Sequence, residues 1–181
     1  SACLVGSEMC IRDRAIQRGA RYFASNLDTT LPSERGFMVG NGSMVAAVTS
    51  ATGVKPQSAG KPGPAMFEVA AHRIGSTKPL AVGDRLDTDI AGGNAAGMDT
   101  LCTVTGVSTH TDIIDAPSSH RPTYIAGNLR DHLPGWSASV EPSSATIRVE
   151  AGELGDVEVM AAEALAVAAP LAWQLIDDPQ I

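Results

Sequence analysis

Three carboxylates, Asp84, Asp87 and Asp89, fall within the segment Gly83-Asp84-Arg85-Leu86-Asp87-Thr88-Asp89. They follow a continuous apolar run, Pro79–Gly83, and Asp84 stands directly at its end. In an open α/β sheet, ligands bind beyond the carboxyl ends of the strands. Carboxylate oxygens are the hard ligands that Mg²⁺ takes, and acids crowded this closely repel one another unless a cation or a basic partner stands among them. The alternative is structural: Asp87 caps the helix that follows and Asp84 is an ordinary loop acid. A second group is Lys61, in Gly60-Lys61-Pro62. Proline suits the first turn of a helix, so Lys61 is expected at a helix N-terminus, where backbone N–H groups and the dipole favour an anion. A phosphate or a carboxylate fits there; a solvated surface lysine is the alternative.

The elements that must position these groups follow from pattern. Tyr22–Ala24 reads as a short buried strand ending in Ser25-Asn26, and 27–42 as loop rich in Thr, Pro, Gly and Ser. Ser43–Thr52 is a small-residue helix stopped by Gly53. Pro64–Ile74 is a second helix, with Met66, Val69, Ala70 and Ile74 at helical spacing and Gly75 closing it. Pro79–Gly83 is expected to be a strand covered on both faces. Thr88–Ala96 reads as helix, Met98–Val104 as strand, Thr109–Asp115 as a short helix, Tyr124–Ala126 as strand and Leu129–Leu133 as a last helical turn. This alternation implies an α/β fold with a Rossmann-like parallel sheet and right-handed crossovers. After Pro134, Trp136–Val140 and Ala145–Val149 alternate around Glu141-Pro142-Ser143-Ser144 as a β-hairpin. Residues 156–169 form an Ala-dominated helix that Pro170 restarts or kinks before Leu171–Ile176.

The chain is 44% hydrophobic and only 4% aromatic, so its core must be built from Ala, Val, Leu and Ile. A net charge of −7 argues against nucleic acid or an anionic membrane as the main partner. Residues 138–181 hold eight of the 20 acids and, in Arg148, one of the 13 bases, so the acidity belongs to the tail. Cys3, Cys10 and Cys102 form no CxxC pair, and an odd count suits a reducing, cytoplasmic setting. No uninterrupted apolar run is long enough to span a bilayer, and the start lacks a signal-peptide pattern. His72, His110, His120 and His132 show no ligand spacing; there is no Gly-x-Ser-x-Gly and no Walker loop. A nucleotide-binding turn is unsupported, because no third glycine follows Gly40-Asn41-Gly42 as that turn requires. Cys102, Trp136 and Trp173 read as packing residues.

Taken together, helix–Gly60-Lys61-Pro62–helix followed by apolar strand–Gly83-Asp84-Arg85-Leu86-Asp87-Thr88-Asp89-Ile90 resembles the haloacid dehalogenase-like phosphatases. Within them it is most similar to the NagD-like branch with a large α/β cap, which includes p-nitrophenylphosphatases and the phosphoglycolate and pyridoxal-phosphate phosphatases. Tyr22–Asn26 with Asp28, Gly40-Asn41-Gly42-Ser43, Ala51–Pro56, Ala91–Met98 and Thr105-Gly106-Val107 carry the same likeness, which extends from residue 19 to about 133.

The resemblance implies roles. Lys61 balances the charge of a nucleophilic carboxylate and of the phosphoryl group. Asp84 is a direct Mg²⁺ ligand, and Asp89 orients metal-bound water or Lys61. Asn26 and Asp28 lie in the cap at or near the substrate pocket, with Leu27 standing where the branch often has proline. The implied activity is Mg²⁺-dependent hydrolysis of a small phosphorylated metabolite through an aspartyl-phosphate, with a possible homodimer through the cap. The family's nucleophile motif, Asp-x-Asp-Gly after an apolar strand, does not occur in this sequence. The only Asp-x-Asp is Asp87-Thr88-Asp89, which leads into Ile90-Ala91. The chain thus reads as the C-terminal part of the cap (15–59), the C-terminal part of the core (60–135) and an acidic hairpin and helix (136–181). Residues 1–14 have two readings: SEMCIRDR resembles translated adapter sequence, or the stretch is a helical turn leading into Ala15–Gly19. A chain without the nucleophile is expected to have little or no activity, and a non-catalytic phosphate- or partner-binding module is the alternative function.

Overall fold

The computed structural model describes residues 3–141 and 146–178. The turn expected at 142–144, Ala145 and the last three residues of the tail lie outside the described residues. The chain divides into two compact units, Ser1–Met66 and Phe67–Ile181.

In the first unit, α1 (Cys3–Gln17) precedes β1 (Phe23–Ala24), which pairs in parallel with β4 (Gln57–Ser58) in the register Phe23↔Gln57. Of the expected buried strand only Ala24 is buried; Phe23 is exposed, and the Arg21 guanidinium lies 4.8 Å from its ring. The segment expected to be loop carries a hairpin, β2 (Thr30–Ser33) with β3 (Gly36–Val39). Its turn residues masked the strand pattern: Gly36 adopts φ 106°, and Ser33 Oγ donates to Gly36 O at 2.7 Å. α2 (Asn41–Thr52) begins two residues before the expected start, with Gly40 at its N-cap, and ends at Gly53 as anticipated.

α3 (Ala65–Ile74) buries none of its residues, and its Met66, Val69 and Ile74 face is exposed. The second unit is built on a parallel sheet of β5 (Leu80–Gly83), β6 (Asp99–Thr103) and β7 (Tyr124–Ala126), in the order β5-β6-β7. Gly83 pairs with Cys102 and Cys102 with Ile125. Contrary to expectation, β5 is covered on one face only. Ala81 is buried, whereas Leu80 and Val82 are 48% and 45% exposed. The reason is that the packing elements converge on one side. Leu86 and Ile90 after β5, Ile113 of α5 (His110–Ile114), and Leu165, Ala169 and Trp173 of α6 (Val157–Asp177) join Cys102 and Ile125 in one cluster.

The helix expected at Thr88–Ala96 starts earlier, as a wide turn over Leu86–Ile90 that runs into α4 (Ala91–Ala95). Arg85 O accepts from both Asp89 N (2.9 Å) and Ile90 N (3.1 Å), which widens the turn. The helical turn expected at Leu129–Leu133 is absent. Asn128 Oδ1 accepts from Arg130 N (2.7 Å) and Asp131 N (2.8 Å), a local side-chain bond that competes with helix.

The tail holds β8 (Ser137–Glu141), β9 (Thr146–Glu150) and α6. α6 is one helix that passes through Pro170, which is exposed while the buried face continues from Ala169 to Trp173. By length and composition it is apolar enough to cross a membrane, which the sequence reading did not anticipate; its Val159, Ala162, Leu165, Ala169 and Trp173 are nevertheless buried in the protein. Trp173 Nε1 donates to Ile113 O (3.2 Å) and Ile114 O (3.0 Å). The Arg121 guanidinium lies 5.4 Å from the Trp173 ring, donates from Nε to Ala116 O (3.0 Å) and forks onto the Asp177 carboxylate. Trp173→Ala is expected to cost about 3–5 kcal/mol, read by denaturant unfolding of the full chain. The Arg121 hydrogen bonds hold the Asp177 carboxyl below the ordinary carboxylate range. That contribution is present above the unfolded pKa and is lost as pH falls through the folded value. Asp177→Asn should therefore lower the melting temperature near neutral pH and leave it unchanged well below the ordinary carboxylate pKa of about 3.9.

Candidate functional site

The carboxyl end of β5 gathers the acidic motif. Gly83, the last residue of the strand, lies so close to Asp89 that a Cβ there would overlap the Asp89 side chain. Asp84 follows, and its Oδ2 accepts from Val107 N at 3.2 Å. A Cβ on Gly106 would overlap Asp84 Oδ2, so the glycine is what lets the loop after β6 approach the carboxylate. Ser108 N donates to Asp84 O (3.2 Å), and Leu86 N donates to Ser108 Oγ (3.1 Å). Asp89 is buried at 9% exposure. Burial, then the charges of Asp84 and Asp89, push the Cys102 thiol up to about 11, which makes it a packing residue and no nucleophile near neutral pH.

Asp84 and Asp89 are thus brought to one strand end, and Asp87 is not part of that set. It is exposed and held by a fork from Arg85, Nε to Oδ1 at 2.7 Å and Nη2 to Oδ2 at 3.2 Å. The fork, ahead of a weaker bond from Asp87's own backbone N–H, holds its carboxyl below the ordinary range, and the N-cap position of the turn is Arg85. Among the described residues no three His, Cys, Asp or Glu side chains gather as a metal-holding group. A hexacoordinate Mg²⁺ is commonly held by one or two carboxylates, with waters and substrate phosphate completing its shell. The donor set at β5 fits that pattern.

In the first unit, Asn26 and Asp28 share a loop laid against the start of α2. Asn41 Nδ2 donates to Asn26 O (2.7 Å), Gly42 N to Asp28 O (2.7 Å) and Ser43 Oγ to Thr29 O (2.7 Å). A Cβ at Gly42 would overlap Leu27 O. Asn26 Oδ1 accepts from Asp28 N (3.3 Å), so part of the Asn26 side chain is spent on the loop's own shape. Lys61, also in this unit, is half-buried. It precedes α3 by a turn closed by Gly63 N donating to Gly60 O (3.0 Å), so Pro62 is not in the first helical turn as expected. The sequence reading missed Ser108 and Asn41. Asn41 had a signal, its place between the glycines of Gly40-Asn41-Gly42; Ser108 had none, because its partners Asp84 and Leu86 are distant in sequence.

Residues 58–132 match the HAD-hydrolase-like family. The chain belongs to the haloacid dehalogenase-like hydrolases. The sequence match spans Lys61, Asp84 and Asp89. A D-glycerol 3-phosphate phosphatase of Mycobacterium tuberculosis is 44% identical over 155 residues, which are 80% of this chain and 44% of that protein. A 5'-nucleotidase of Bacillus subtilis is 39% identical, over 66% of this chain and 47% of that protein. Among solved structures, a glycerol phosphate phosphatase of M. tuberculosis in complex with magnesium superposes with a TM-score of 0.72 at 41% identity, over 90% of this chain and 52% of that one. A p-nitrophenyl phosphatase of Archaeoglobus fulgidus superposes with a TM-score of 0.62 at 34% identity, over 68% of this chain and 49% of that one. The chain therefore spans about half the length of the relatives it matches.

Gly106→Ala should turn the Asp84 carboxylate away at a stability cost of about 1 kcal/mol. The expected signature is faster hydrogen exchange at the Val107 amide with a melting temperature lowered by about 2–4 °C.

Proposed function

We propose that the whole protein hydrolyses a small phosphate monoester of a phosphorylated metabolite with Mg²⁺, and that Asp84 is its metal ligand. The observation that carries this reading is the placement of Asp84 and the buried Asp89 together at the carboxyl end of β5, in a chain whose relatives are named phosphatases. The magnesium complex of the M. tuberculosis relative supports the choice of metal. Mg²⁺ in such a site neutralises charge on the transferring phosphoryl oxygens. Asp89 orients the groups around Asp84, Lys61 offsets negative charge on the phosphoryl group, and Asn26 and Asp28 border the substrate pocket.

The covalent step needs one more aspartate. Its carboxylate oxygen attacks phosphorus while the second acid of the same motif gives its proton to the leaving ester oxygen; water, losing a proton to that carboxylate, then attacks phosphorus and breaks the acyl-phosphate P–O bond, which frees the first carboxylate and releases inorganic phosphate. The sequence of this chain holds no Asp-x-Asp-Gly. Its Asp87-Thr88-Asp89 is a poor substitute, with Asp87 forked to Arg85 and Asp89 buried against Gly83. For the chain alone this favours a phosphate-binding reading without turnover. A cytoplasmic setting belongs to the same proposal, supported by the free thiols of Cys10 and Cys102. A homodimer through the cap is supported by the hairpin β2–β3, where Leu31, Phe37, Met38 and Val39 are all exposed.

Two measurements test this. The chain as it stands should not turn over p-nitrophenyl phosphate with Mg²⁺; turnover that Asp84→Ala abolishes would contradict the assignment of the nucleophile elsewhere. Mn²⁺, used as a paramagnetic stand-in for Mg²⁺, should bind the chain and lose at least tenfold in affinity on Asp84→Asn, whereas equal affinity for both proteins would remove Asp84 as the ligand.

A further inference from the structure

We propose that Ser108 is a positioning residue that sets the Asp84 carboxylate. The inference rests on the reading of Asp84 as a metal ligand. Ser108 lies in the loop between β6 and α5, far from the acidic motif in sequence, and is 7% exposed. It grips the backbone at two points just after the Asp84 side chain: its N–H donates to Asp84 O (3.2 Å), and its Oγ accepts from Leu86 N (3.1 Å). Its neighbour Val107 donates to Asp84 Oδ2 (3.2 Å). Three hydrogen bonds from two consecutive residues thus hold one carbonyl, one carboxylate oxygen and one amide across Asp84–Leu86.

The Oγ bond is the one that depends on a side chain. Leu86 opens the wide turn, and the first N–H groups of a helical segment have no acceptor within it. Arg85, at the N-cap of that turn, makes no side-chain capping bond. Ser108 Oγ supplies the acceptor from a different loop. Leu86 itself is 7% exposed, so loss of the hydroxyl leaves a buried N–H unsatisfied. The Asp84–Leu86 backbone must then move to find another partner, and the carboxylate moves with it. Groups that orient a metal ligand commonly change metal affinity by tenfold or more when removed.

The test compares Ser108→Ala with Ser108→Thr in the full chain. Mn²⁺ affinity is read by paramagnetic resonance titration, exchange of the Val107 amide by NMR, and folding by thermal melting. Ser108→Ala should weaken Mn²⁺ binding about tenfold and speed exchange at Val107, an amide bonded to Asp84 and not to Ser108. Ser108→Thr, which keeps the hydroxyl, should restore both. Mn²⁺ affinity in the folded Ser108→Ala protein equal to that of the wild type would overturn the proposal. If the wild type binds no Mn²⁺, the ligand reading of Asp84 fails by itself, and unchanged Val107 exchange in Ser108→Ala then overturns the positioning role independently. A Ser108→Thr protein that melts like the wild type and yet behaves like Ser108→Ala would also overturn it, because the hydroxyl would then be irrelevant.

Discussion

Parallel pairing of β5 with β6 places the acidic motif of the second unit. Gly83 opposite Cys102 aligns the ends of the two strands. The chain leaving β5 at Asp84 therefore meets the chain leaving β6 at Thr105–Ser108. The small residues at this seam are constraints of contact: Gly83 gives room to the Asp89 side chain, and Gly106 gives room to the Asp84 carboxylate. A sheet shifted by one residue would exchange the buried and open faces of the strand and separate the two loops. The acidic motif is thus set by strand register before any ligand is considered.

The tail, which carries the excess negative charge, proves to be part of the same core. Leu165, Ala169 and Trp173 of α6 lie in one cluster with Cys102 and Ile125 of the sheet. Arg121 ties the end of α6 to the loop after α5 by combining a carboxylate fork, a carbonyl bond and a ring contact. Glu163, a buried acid on an alanine-rich helix, is not left alone: His132 Nδ1 lies 2.8 Å from its Oε1 and Leu133 N donates to it at 3.1 Å. Acidity in this segment is consistent with packing because the acids that approach the core have named partners.

Much of this was legible in sequence. The alternation of strands and helices and the strand end at Gly83 follow from apolar runs and glycines, and the strand expected to end at Val104 ends one residue earlier, at Thr103. Three features were not legible, each for a physical reason. The hairpin β2–β3 was hidden because its turn chemistry spreads through the strands, and because its exposed Phe37, Met38 and Val39 show no alternation of apolar and polar residues. The open face of β5 was hidden because a continuous apolar run does not reveal which face is covered. Ser108 was hidden because its partners, Asp84 and Leu86, are distant in sequence and become neighbours only through the strand register. Asp87 shows the converse: its spacing suggested a helix cap, and a nearby guanidinium competed successfully for the carboxylate.

The central claim is that the carboxyl end of β5 is a divalent-cation site built around Asp84. Anomalous X-ray scattering from crystals of the full chain grown with Mn²⁺ measures this most directly. The predicted result is a manganese peak on the Asp84 carboxylate beside the Val107–Ser108 loop. A map with no peak there, or with manganese held only by other carboxylates such as Glu163 or Asp177, would contradict it.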